Sequence, residues 1–598
     1  MERDDNCPTE RSQLNGHFED APTVSTSRVF LDRVGEVILS VNSTGFSWKP
    51  VDSPDDDESI CWARKFLPYS ACEIKFSDIY AVESLDWGSI CQPRGYCFRR
   101  TVLEMHRFVV HGMRRSESNP CLWQLAEYKF GHMDQLKCET LLNQINSFLN
   151  KEKGRPKSLL VFVNPKSGKG NGRKIWGVVA PIFSRAKVSA EVTVTERPGH
   201  AYDVVTSMSS GELNSYDGIV AVGGDGLFNE ILNGLLSSRL KTSYPPAPPD
   251  FMASLGQGPN AMVADPNGTD AGSFHPNEDQ FPLFPTSRHD ESEMPSFRVY
   301  HADEDAEFSM PHKWFRFGII PAGSTDAVVI CTTGARDPIT SALHIVLGKR
   351  IGLDIAQVVC WKETKESKVE PSVRYTASFV GYGFYGDVIT ESEKCRWMGP
   401  TRYDFAGTKV FLRHRSYEAE IAYLDVKSGQ ADTEFKEDDL NGRRKSSCCG
   451  HRKKQKRVIC RANCEICNAP SSVIGESRWL KSKGHFLSAG AAVISCRNEK
   501  APDGLVADAH LSDGFLHLIL VKNCWHASYL WHLIHLARKG GSPLDFNFVE
   551  HHKTSAFTFT SFGKEGVWNL DGEILRAHKL SARVLRGLVS LFAAGPEV

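Results

Sequence analysis

The sequence lacks long apolar segments and any excess of charge of one sign. No run of about 18 apolar residues occurs, so we expect no segment to span a bilayer as a helix. Its 71 lysine and arginine residues nearly balance 72 aspartate and glutamate residues, so no bulk field would recruit nucleic acid or membrane. The first stretch, MERDDNCPTERSQLNGHF, is polar without an apolar core and therefore does not predict a secretory signal.

Cysteine, in contrast, is present at 17 positions, an odd number that is mostly scattered. Without a secretory signal, this usage predicts reduced thiols in a cytoplasmic protein. Cys460, Cys464 and Cys467 stand close together in CRANCEICN. Thiolates at this spacing can bind zinc, but a structural zinc site usually pairs two short-spaced ligand pairs. A metal site, a lipid-facing role and a redox role therefore stay open.

Two parts of the chain differ in their pattern from the rest. Residues 1–25 predict a flexible tail. From 26 to 150, alternating apolar and β-branched residues predict strands, as in YCFRRTVLEMHRFVVHGM. The stretch MDQLKCETLLNQINSFLN then places Leu136, Leu141, Ile145 and Leu149 at helical spacing. Strands followed by one helix predict a β module similar to a pleckstrin-homology domain.

From residue 156 to 350, strands alternate with glycine turns and helices, which predicts an α/β lobe with a parallel sheet. Within it, 237–311 is rich in Pro, Gly, Ser and acidic residues and predicts a disordered insertion. From 351 to 598 the predicted strands follow one another, which favours an antiparallel β-sandwich lobe. A basic, cysteine-rich insertion is expected at 427–483.

The stretch VNPKSGKGNG, from Val163 to Gly172, follows an apolar strand and precedes a helix. Bare backbone N–H groups and the start of a helix favour phosphate binding. Neither the P-loop pattern nor the dinucleotide pattern GxGxxG occurs here. An ordinary turn between a strand and a helix is the alternative.

The stretch VGGDGLFNEILNGL surrounds Asp225 with Gly223, Gly224 and Gly226. An aspartate can serve as a helix N-cap without three neighbouring glycines, so this spacing favours the approach of nucleotide phosphates. A carboxylate at such a place can hold a metal ion or accept a proton from the phosphoryl acceptor. Two later stretches, GIIPAGSTDAVV and VWNLDGEIL, predict further turns at the same site, although the second reads equally well as a turn alone.

These stretches, with TERPGHA and GYGFYGDVITESEKCRWMGPTRY, occur in one order. That order resembles the catalytic domain of diacylglycerol-kinase-type lipid kinases, which sphingosine and ceramide kinases share. The resemblance extends from about Ser158 to the C-terminus, apart from the two insertions. Within this superfamily the chain is most similar to ceramide kinases, because of its pleckstrin-like module and its CxxxCxxC motif.

The resemblance implies a two-lobed kinase with nucleotide in the cleft between the lobes, and Mg²⁺ is expected with the ATP. It implies lipid-headgroup contacts by Gly224, Asp225, Gly226 and Asp387, with Asp225 as the general base. Stimulation by Ca²⁺ is implied by the resemblance alone. The residues implied to bind ATP are Asn164, Pro165, Lys166, Thr195, Glu196, Arg197, Gly199, Glu230, Gly323, Ser324, Thr325, Arg396, Arg402, Asp571, Gly572 and Glu573.

The function expected from the resemblance is phosphorylation of the primary hydroxyl of ceramide by a cytoplasmic protein that associates peripherally with a membrane surface. In sphingosine kinases, a second acid that reads the free amine stands where this chain has Ile389. The amide of ceramide is uncharged and needs no such acid. Sphingosine, diacylglycerol or NAD as the acceptor, and a non-catalytic lipid-binding scaffold, are the alternatives. The apolar stretch CWHASYLWHLIHLARK predicts either a packed helix or one that dips into a membrane.

Overall fold

The structure is a computed structural model that describes residues 25–51, 72–92, 101–168, 170–248, 307–308, 311–312, 314–363, 369–425, 478–563 and 566–596. These residues fall into two compact units, one within 1–113 and 125–153, and one within 114–124 and 154–598. The expected tail, apart from its last residue, lies outside the described residues, and so do Cys460, Cys464 and Cys467.

The first unit is a sheet with strand order β4-β3-β2-β1-β7-β6-β5, and one helix follows it. Helix α1 begins after Asp134, whose carboxylate accepts a hydrogen bond from the backbone N–H of Leu136 at 3.0 Å. Leu141 and Ile145 are buried in the core, but Leu136 is 72% exposed because Cys138 takes the inward position in the first turn. The predicted β module with a closing helix is confirmed. The elements are β1 Ser25–Leu31, β2 Gly35–Val41, β3 Gly45–Pro50, β4 Cys72–Lys75, β5 Ile79–Gln92, β6 Thr101–Arg115, β7 Trp123–His132 and α1 Gln135–Leu149.

The second unit begins with a parallel sheet. Strand β8 pairs in parallel with β9 and β10, and β10 pairs in parallel with β13. The strands β8 and β10 are apolar and buried, as expected for a sheet covered by helices. The elements are β8 Ser158–Val163, α2 Gly172–Arg185, β9 Ser189–Val194, α3 His200–Ser207, α4 Ser210–Asn214, β10 Gly218–Gly223, α5 Asp225–Arg239, β11 Leu240–Lys241, β12 Glu307–Phe308, β13 Arg316–Pro321, α6 Ala327–Thr333 and α7 Pro338–Val346.

The later strands of this unit pair antiparallel, as predicted, for example β17 with β18 and β21. Three helices and a 3-10 turn, Arg396–Thr401, are inserted between them. The elements are β14 Ile351–Glu363, β15 Val369–Thr376, β16 Phe379–Gly383, α8 Phe384–Glu393, α9 Arg402–Arg413, β17 Tyr417–Asp425, β18 Arg478–Ala492, β19 Leu516–Lys522, α10 His526–Ala537, β20 Val549–Thr554, β21 Ala556–Phe562, β22 Trp568–Leu570, β23 Glu573–Leu575 and β24 Lys579–Leu591.

The two lobes share one mixed sheet, whereas the sequence predicted a separate sheet for each. The last strand, β24, pairs antiparallel with β14 and β21, and it also meets β13 in parallel at Phe317 and Leu591. The backbone N–H of Phe592 donates to the carbonyl of Phe317 at 2.8 Å. The C-terminal strand therefore belongs to both lobes, a pairing that no local pattern reveals.

Described regular structure enters both of the segments that were predicted as insertions. Helix α5 continues to Arg239, and β11 then pairs with β12, so regular structure extends past position 237 and returns before 311. Strand β18 begins at Arg478, which lies inside the expected 427–483 segment. Polar residues at these edges misled the prediction, because the alternating side chains of β18 face solvent over its first half. Within the described part, every helix is too short or too polar to cross a membrane.

Candidate active site

Three turns meet at one edge of the parallel sheet. They follow β8, β10 and β13, whose carboxyl ends lie side by side. The N–H of Asn164 donates to the carbonyl of Val222 at 3.0 Å, and the N–H of Ala322 donates to the carbonyl of Gly223 at 3.0 Å. The polar residues after each strand are therefore held together, as the sequence predicted.

A cleft of about 1360 Å³, including the solvent at its mouth, opens above these turns. It brings together turn residues from the first lobe and side chains from the 3-10 turn, α9 and β23 of the second lobe. The lining residues are Asn164, Lys166, Ser167, Gly168, Thr195, Glu196, Arg197, Pro198, Gly224, Gly226, Leu227, Glu230, Gly323, Ser324, Arg396, Arg402 and Glu573.

The glycines of the cleft serve two different purposes. A Cβ atom on Gly323 would lie 2.5 Å from the Cα of Gly224, so these two residues allow neighbouring turns to touch. Gly226 is exposed to the cleft, and a Cβ atom there would meet nothing within 4 Å. Neither packing nor a positive φ requires a glycine at position 226. The space that it leaves open faces the cleft and fits a closely approaching ligand.

Asp225 is the first residue of α5, and its carboxylate reaches the start of α6. Its Oδ2 accepts from the N–H of Ala327 at 2.8 Å and its Oδ1 from the N–H of Val328 at 3.0 Å. Withdrawal of the carboxylate from solvent raises its pKa to about 7, although these two N–H groups oppose the shift. Asp326 and Asp571 raise it further through their negative charge. A carboxylate with this pKa exchanges protons near neutral pH.

An ion pair between the buried Asp326 and the more exposed Arg336 holds the turn after β13. Asp326 has a left-handed backbone with φ 51° and accepts from the N–H of Gly323 at 3.0 Å. Arg336 donates from Nε to Asp326 at 2.8 Å and from Nη2 to the carbonyl of Gly323 at 2.6 Å. Its Nη1 reaches Glu499 of the second lobe at 2.7 Å. Arg336 thus fixes the turn and ties it to the second lobe.

The cations of the cleft are positioned by carboxylates. Arg396 forms an ion pair with Glu393, and Arg402 lies 3.6 Å from the same side chain while donating to the hydroxyl of Tyr403 at 2.8 Å. Arg197 is paired with Asp203 at 2.5 Å. Because one carboxylate holds two guanidinium groups, Arg396 and Arg402 present a net positive charge towards the cleft.

Two carboxylates of the cleft, those of Glu230 and Glu573, differ in their surroundings. Glu230 accepts from the N–H of Ala201 at 2.8 Å at the start of α3, so it caps that helix as well as lining the cleft. Glu573 projects from β23. Desolvation by the cleft walls raises the pKa of Glu573, Arg374 lowers it, and Asp571 and Glu230 raise it.

Apart from Asp387, six predicted residues lie outside the lining of the cleft: Pro165, Gly199, Asp225, Thr325, Asp571 and Gly572. Asp225 lies directly behind this lining, between Gly224 and Gly226. Gly199 is the left-handed residue, φ 79°, that precedes α3. Asp571 also has a positive φ. Its carboxylate accepts hydrogen bonds from the backbone N–H groups of Ala377, Ser378 and Phe379 at 2.9, 3.2 and 2.8 Å. This arrangement makes Asp571 a support for the turn between β15 and β16. The roles predicted for these six residues, and ATP contacts of the lining residues, stay predictions.

Asp387 lies apart from the cleft, beside a second and much smaller cavity of about 220 Å³, including the solvent at its mouth. Its Oδ2 accepts from the hydroxyl of Tyr417 at 2.5 Å, and desolvation raises its pKa, while Tyr417 and Arg415 lower it. The lining residues are Phe384, Asp387, Val410, Phe411, His414, Arg415, Leu487 and Tyr529. The substrate role of Asp387 stays a prediction, and any such role would be played in this cavity.

The described residues contain no group of three or more His, Cys, Asp or Glu side chains able to hold a metal ion. The donor set of the cleft nevertheless fits a metal that arrives already bound to phosphate oxygens. Lys166, Arg396 and Arg402 supply positive charge, and Glu573 supplies a carboxylate. In this arrangement the phosphates themselves would provide most of the ligands.

Sequence reasoning missed residues that position others. Ser167, Gly168, Pro198 and Leu227 line the cleft and adjoin predicted residues, so their neighbours gave a usable signal. Arg336 and Glu393 gave none beyond their charge. Each acts through partners that only the fold brings near.

Comparisons with known proteins agree with this geometry. The family model for the diacylglycerol kinase catalytic domain matches residues 158–249, and the model for the ceramide kinase C-terminal domain matches residues 378–567. A ceramide kinase from Arabidopsis thaliana is 53% identical over 95% of this chain and 96% of that protein. A ceramide kinase from Oryza sativa subsp. japonica is 50% identical over 95% and 99% of the two chains. A ceramide kinase from Homo sapiens is 31% identical over 88% and 89%.

The cleft and the catalytic-domain match define a lipid kinase of the diacylglycerol kinase type. Within that class, the two plant relatives are similar over nearly their whole length, and the ceramide kinase C-terminal model matches residues 378–567. The chain belongs to the ceramide kinase family. Membership in a kinase family implies ATP as the phosphoryl donor.

Proposed function

We propose that this chain transfers the γ-phosphate of ATP to the primary hydroxyl of ceramide and releases ceramide 1-phosphate and ADP. The observation that carries the proposal is the position of Asp225. Its carboxylate, with a pKa near 7, joins the start of α5 to the start of α6, and its neighbours Gly224 and Gly226 line a cleft rich in guanidinium groups. Family membership supplies the lipid acceptor.

Lys166, Arg396 and Arg402 are suited to hold the donor phosphates. A guanidinium group can bind two phosphate oxygens at once, and Glu393 orients the guanidinium groups of Arg396 and Arg402. The open space at Gly226 admits a phosphate close to the backbone N–H groups at the start of α5. Mg²⁺, when bound with ATP, would neutralise charge on the phosphates during transfer.

Asp225 is proposed as the general base. It takes the proton from the lipid hydroxyl while the lipid oxygen forms its bond to phosphorus and the bond from phosphorus to the ADP oxygen breaks. Each carboxylate oxygen already accepts one N–H but has a second lone pair for the hydroxyl. These N–H groups also fix the carboxylate in one orientation, which favours alignment of the acceptor.

Helix α8 supports ceramide over an amine-bearing acceptor. Glu393, one turn after Ile389, contacts the two cleft arginines, whereas Asp387 and Glu391 lie on the other side of the helix. Ile389 therefore lies on the same side of α8 as Glu393, the side that faces the cleft arginines, and Asp387 does not. An apolar side chain there gives no partner to the ammonium group of sphingosine.

The first unit is proposed to be a pleckstrin-homology-like module that contributes to peripheral membrane association. The support is its sheet of antiparallel pairs closed by helix α1.

The test is an assay of the purified chain with labelled ATP and Mg²⁺, offered ceramide, sphingosine and diacylglycerol side by side in one detergent. We expect ceramide to be phosphorylated with the highest kcat/KM. A preference for sphingosine or diacylglycerol would replace the ceramide assignment with that acceptor. Absence of transfer to all three lipids would favour a non-catalytic scaffold.

A further inference from the structure

Helix α10 turns its apolar side chains outward. Trp525, directly before the helix, is 86% exposed, and Leu530, Trp531 and Ile534 are 46%, 54% and 43% exposed. The inward side carries Tyr529, which is buried, as is His532. A helix on the surface of a globular protein normally shows the opposite arrangement, so this side is suited to contact something other than water.

The end of helix α9 extends the same surface. The ring of Phe411 lies 5.7 Å from His526, and the ring of His414 stacks on His526 at 3.8 Å. His414 also bonds through Nε2 to the carbonyl of Cys524 at 2.6 Å. These contacts hold Leu412, which is 69% exposed, close to the start of α10.

We call Trp525, Leu530, Trp531, Ile534 and Leu412 the docking face. Positive charge borders it at both ends. Helix α10, HASYLWHLIHLA, contains no Asp, Glu, Lys or Arg, and the exposed Arg538 and Lys539 follow it directly.

Arg413 and Arg415, also exposed, follow Leu412 at the end of α9. Arg413 also forms an ion pair with Glu391 at 2.8 Å. Beyond the end of α10, the carboxylate of Asp503 accepts a hydrogen bond from the N–H of Gly540 at 2.6 Å. Apolar side chains flanked by these cations complement a surface that is apolar inside and anionic outside.

We infer that the docking face rests in the headgroup region of an anionic lipid bilayer. Indole rings prefer this region, since they join an apolar body to a polar N–H. Tyr529 and Phe411, which lie beneath the face, are also walls of the cavity that contains Asp387. The same two helices thus separate an internal cavity from the outward face. The inference rests on the proposed function, because a bilayer-resident acceptor is what makes this contact useful.

Fluorescence quenching tests the inference at single residues. The full chain is mixed with vesicles of phosphatidylcholine and phosphatidylserine that carry brominated acyl chains, without ATP or ceramide. We expect quenching of the wild-type emission and clearly less quenching for the double variant Trp525→Phe, Trp531→Phe. The control Trp314→Phe removes a tryptophan that is 45% exposed on the first lobe and should leave quenching unchanged. Equal quenching of the double variant and the wild type would overturn the inference.

Vesicle sedimentation and turnover give a second, independent measurement. Leu530→Ser with Ile534→Ser should weaken binding to the same vesicles roughly tenfold or more, because two apolar side chains no longer enter the interface. Turnover on detergent-dispersed ceramide should stay within about twofold, because these residues lie outside the cleft. The matched control is Val178→Ser on α2, an exposed apolar residue of the first lobe.

The outcomes separate the two proposals. Unchanged vesicle binding by the Leu530→Ser, Ile534→Ser variant would overturn the membrane role of the docking face. If the wild type proved to be a dimer and this variant a monomer that still binds vesicles, the docking face would instead be a contact with another copy of the chain. Loss of vesicle binding by the serine variant while the wild type fails to phosphorylate ceramide would support the face and reject the acceptor assignment.

Discussion

Single residues of the cleft have partners that both restrain and activate them. Asp225 is fixed by two N–H donors from α6 yet has a pKa near 7, because desolvation outweighs those hydrogen bonds. Arg336 compensates the buried charge of Asp326 and reaches across to Glu499. The chemistry of the cleft therefore depends on residues that no ligand would touch.

The pH dependence of turnover follows from Asp225. A general base must be ionised, so kcat/KM should be level above pH about 7 and fall about tenfold for each pH unit below it. The measurement is kcat/KM for ceramide between pH 5.5 and 8.5 in one buffer series. A rate that stays level down to pH 5.5 would remove Asp225 from the role of base.

Asp225→Asn should reduce kcat by about 10²–10⁴-fold, the usual contribution of a general base. The amide nitrogen of asparagine would face one of the N–H groups of Ala327 and Val328, so a loss of stability of about 1–3 kcal/mol is also expected. Thermal unfolding, measured beside turnover, distinguishes the two effects. A folded variant that keeps a quarter of wild-type kcat would contradict the assignment.

Arg336→Gln should loosen the turn after β13, although Arg336 itself does not line the cleft. Removing the cation leaves Asp326, which is buried, without its ion pair and frees the carbonyl of Gly323. We expect KM for ATP to rise about tenfold or more and stability to fall by about 3 kcal/mol. Glu499→Gln is the matched control, since this exposed partner should contribute less than about 1 kcal/mol. Equal effects of both variants would mean that the link between the lobes matters more than the turn.

Ile389→Asp should narrow the preference for ceramide over sphingosine. A carboxylate about 4 Å from an ammonium group gains roughly 4 kcal/mol at an intermediate dielectric before desolvation is subtracted. The same carboxylate would stay poorly paired beside a neutral amide. The ratio of kcat/KM for the two lipids, measured in one detergent, is the readout. An unchanged ratio would show that Ile389 does not meet the headgroup.

At the scale of secondary structure, an ion cluster joins α8 to α9. Glu391 is buried, and it accepts from Lys394 and Lys409 at 2.9 Å and from Arg413 at 2.8 Å. Hydrogen bonds from these cations lower the pKa of Glu391 to about 2. A carboxylate whose pKa is lower in the folded protein than in the unfolded chain stabilises the fold at any pH above its unfolded-state pKa. That contribution is lost as the pH falls from there towards 2. The cluster is therefore intact at neutral pH, and it positions the helix that begins with Arg402.

Glu391→Gln should loosen this helix pair. The amide keeps the size of the side chain but not its charge, so we expect a loss of about 1–2 kcal/mol and a several-fold rise in KM for ATP through Arg402. Chemical denaturation and ATP kinetics are the measurements. Glu420→Gln, which removes an ion pair with Lys481 on β17 and β18, is a control that should leave the KM unchanged. A lower stability with an unchanged KM would restrict Glu391 to a structural role.

The sequence predicted the elements whose signals are local. Leu141, Ile145 and Leu149 are all buried on α1, as their helical spacing indicated, and the glycine turns mark the carboxyl ends of β8 and β10. It did not predict Arg336, Glu391 or Glu393, because a charge in a helix or turn carries no information about a partner distant in sequence. Asp387 was predicted from a motif that cannot tell which face of α8 meets the cleft.

At the scale of the whole molecule, β24 connects the lobes. It lies between β13 of the first lobe and β14 and β21 of the second, and Val589, Leu591 and Phe592 are buried. The parallel sheet of the first lobe is therefore completed by a strand that lies far later in the sequence.

Truncation before Leu588 should abolish soluble, active protein. It removes the buried residues of β24 that meet β13, and the loss of several large side chains exceeds the stability of most domains. The control is removal of residues 597–598 alone, beyond the strand. Soluble expression and turnover are the measurements. An active protein that ends before Leu588 would show that β13 does not need this neighbour.

The shared strand also has a consequence for the order of events during synthesis. Roughly 250 residues separate the end of β13 from the start of β24, a distance that a ribosome covers in about 15–50 seconds. Throughout that interval one edge of β13 is unpaired in the nascent chain, and an unpaired edge invites association with other chains. The sheet of the first lobe lacks this neighbour until β24 has been made, so we expect the folding of the lobe to finish only then, with chaperones occupying this edge of β13 in the meantime.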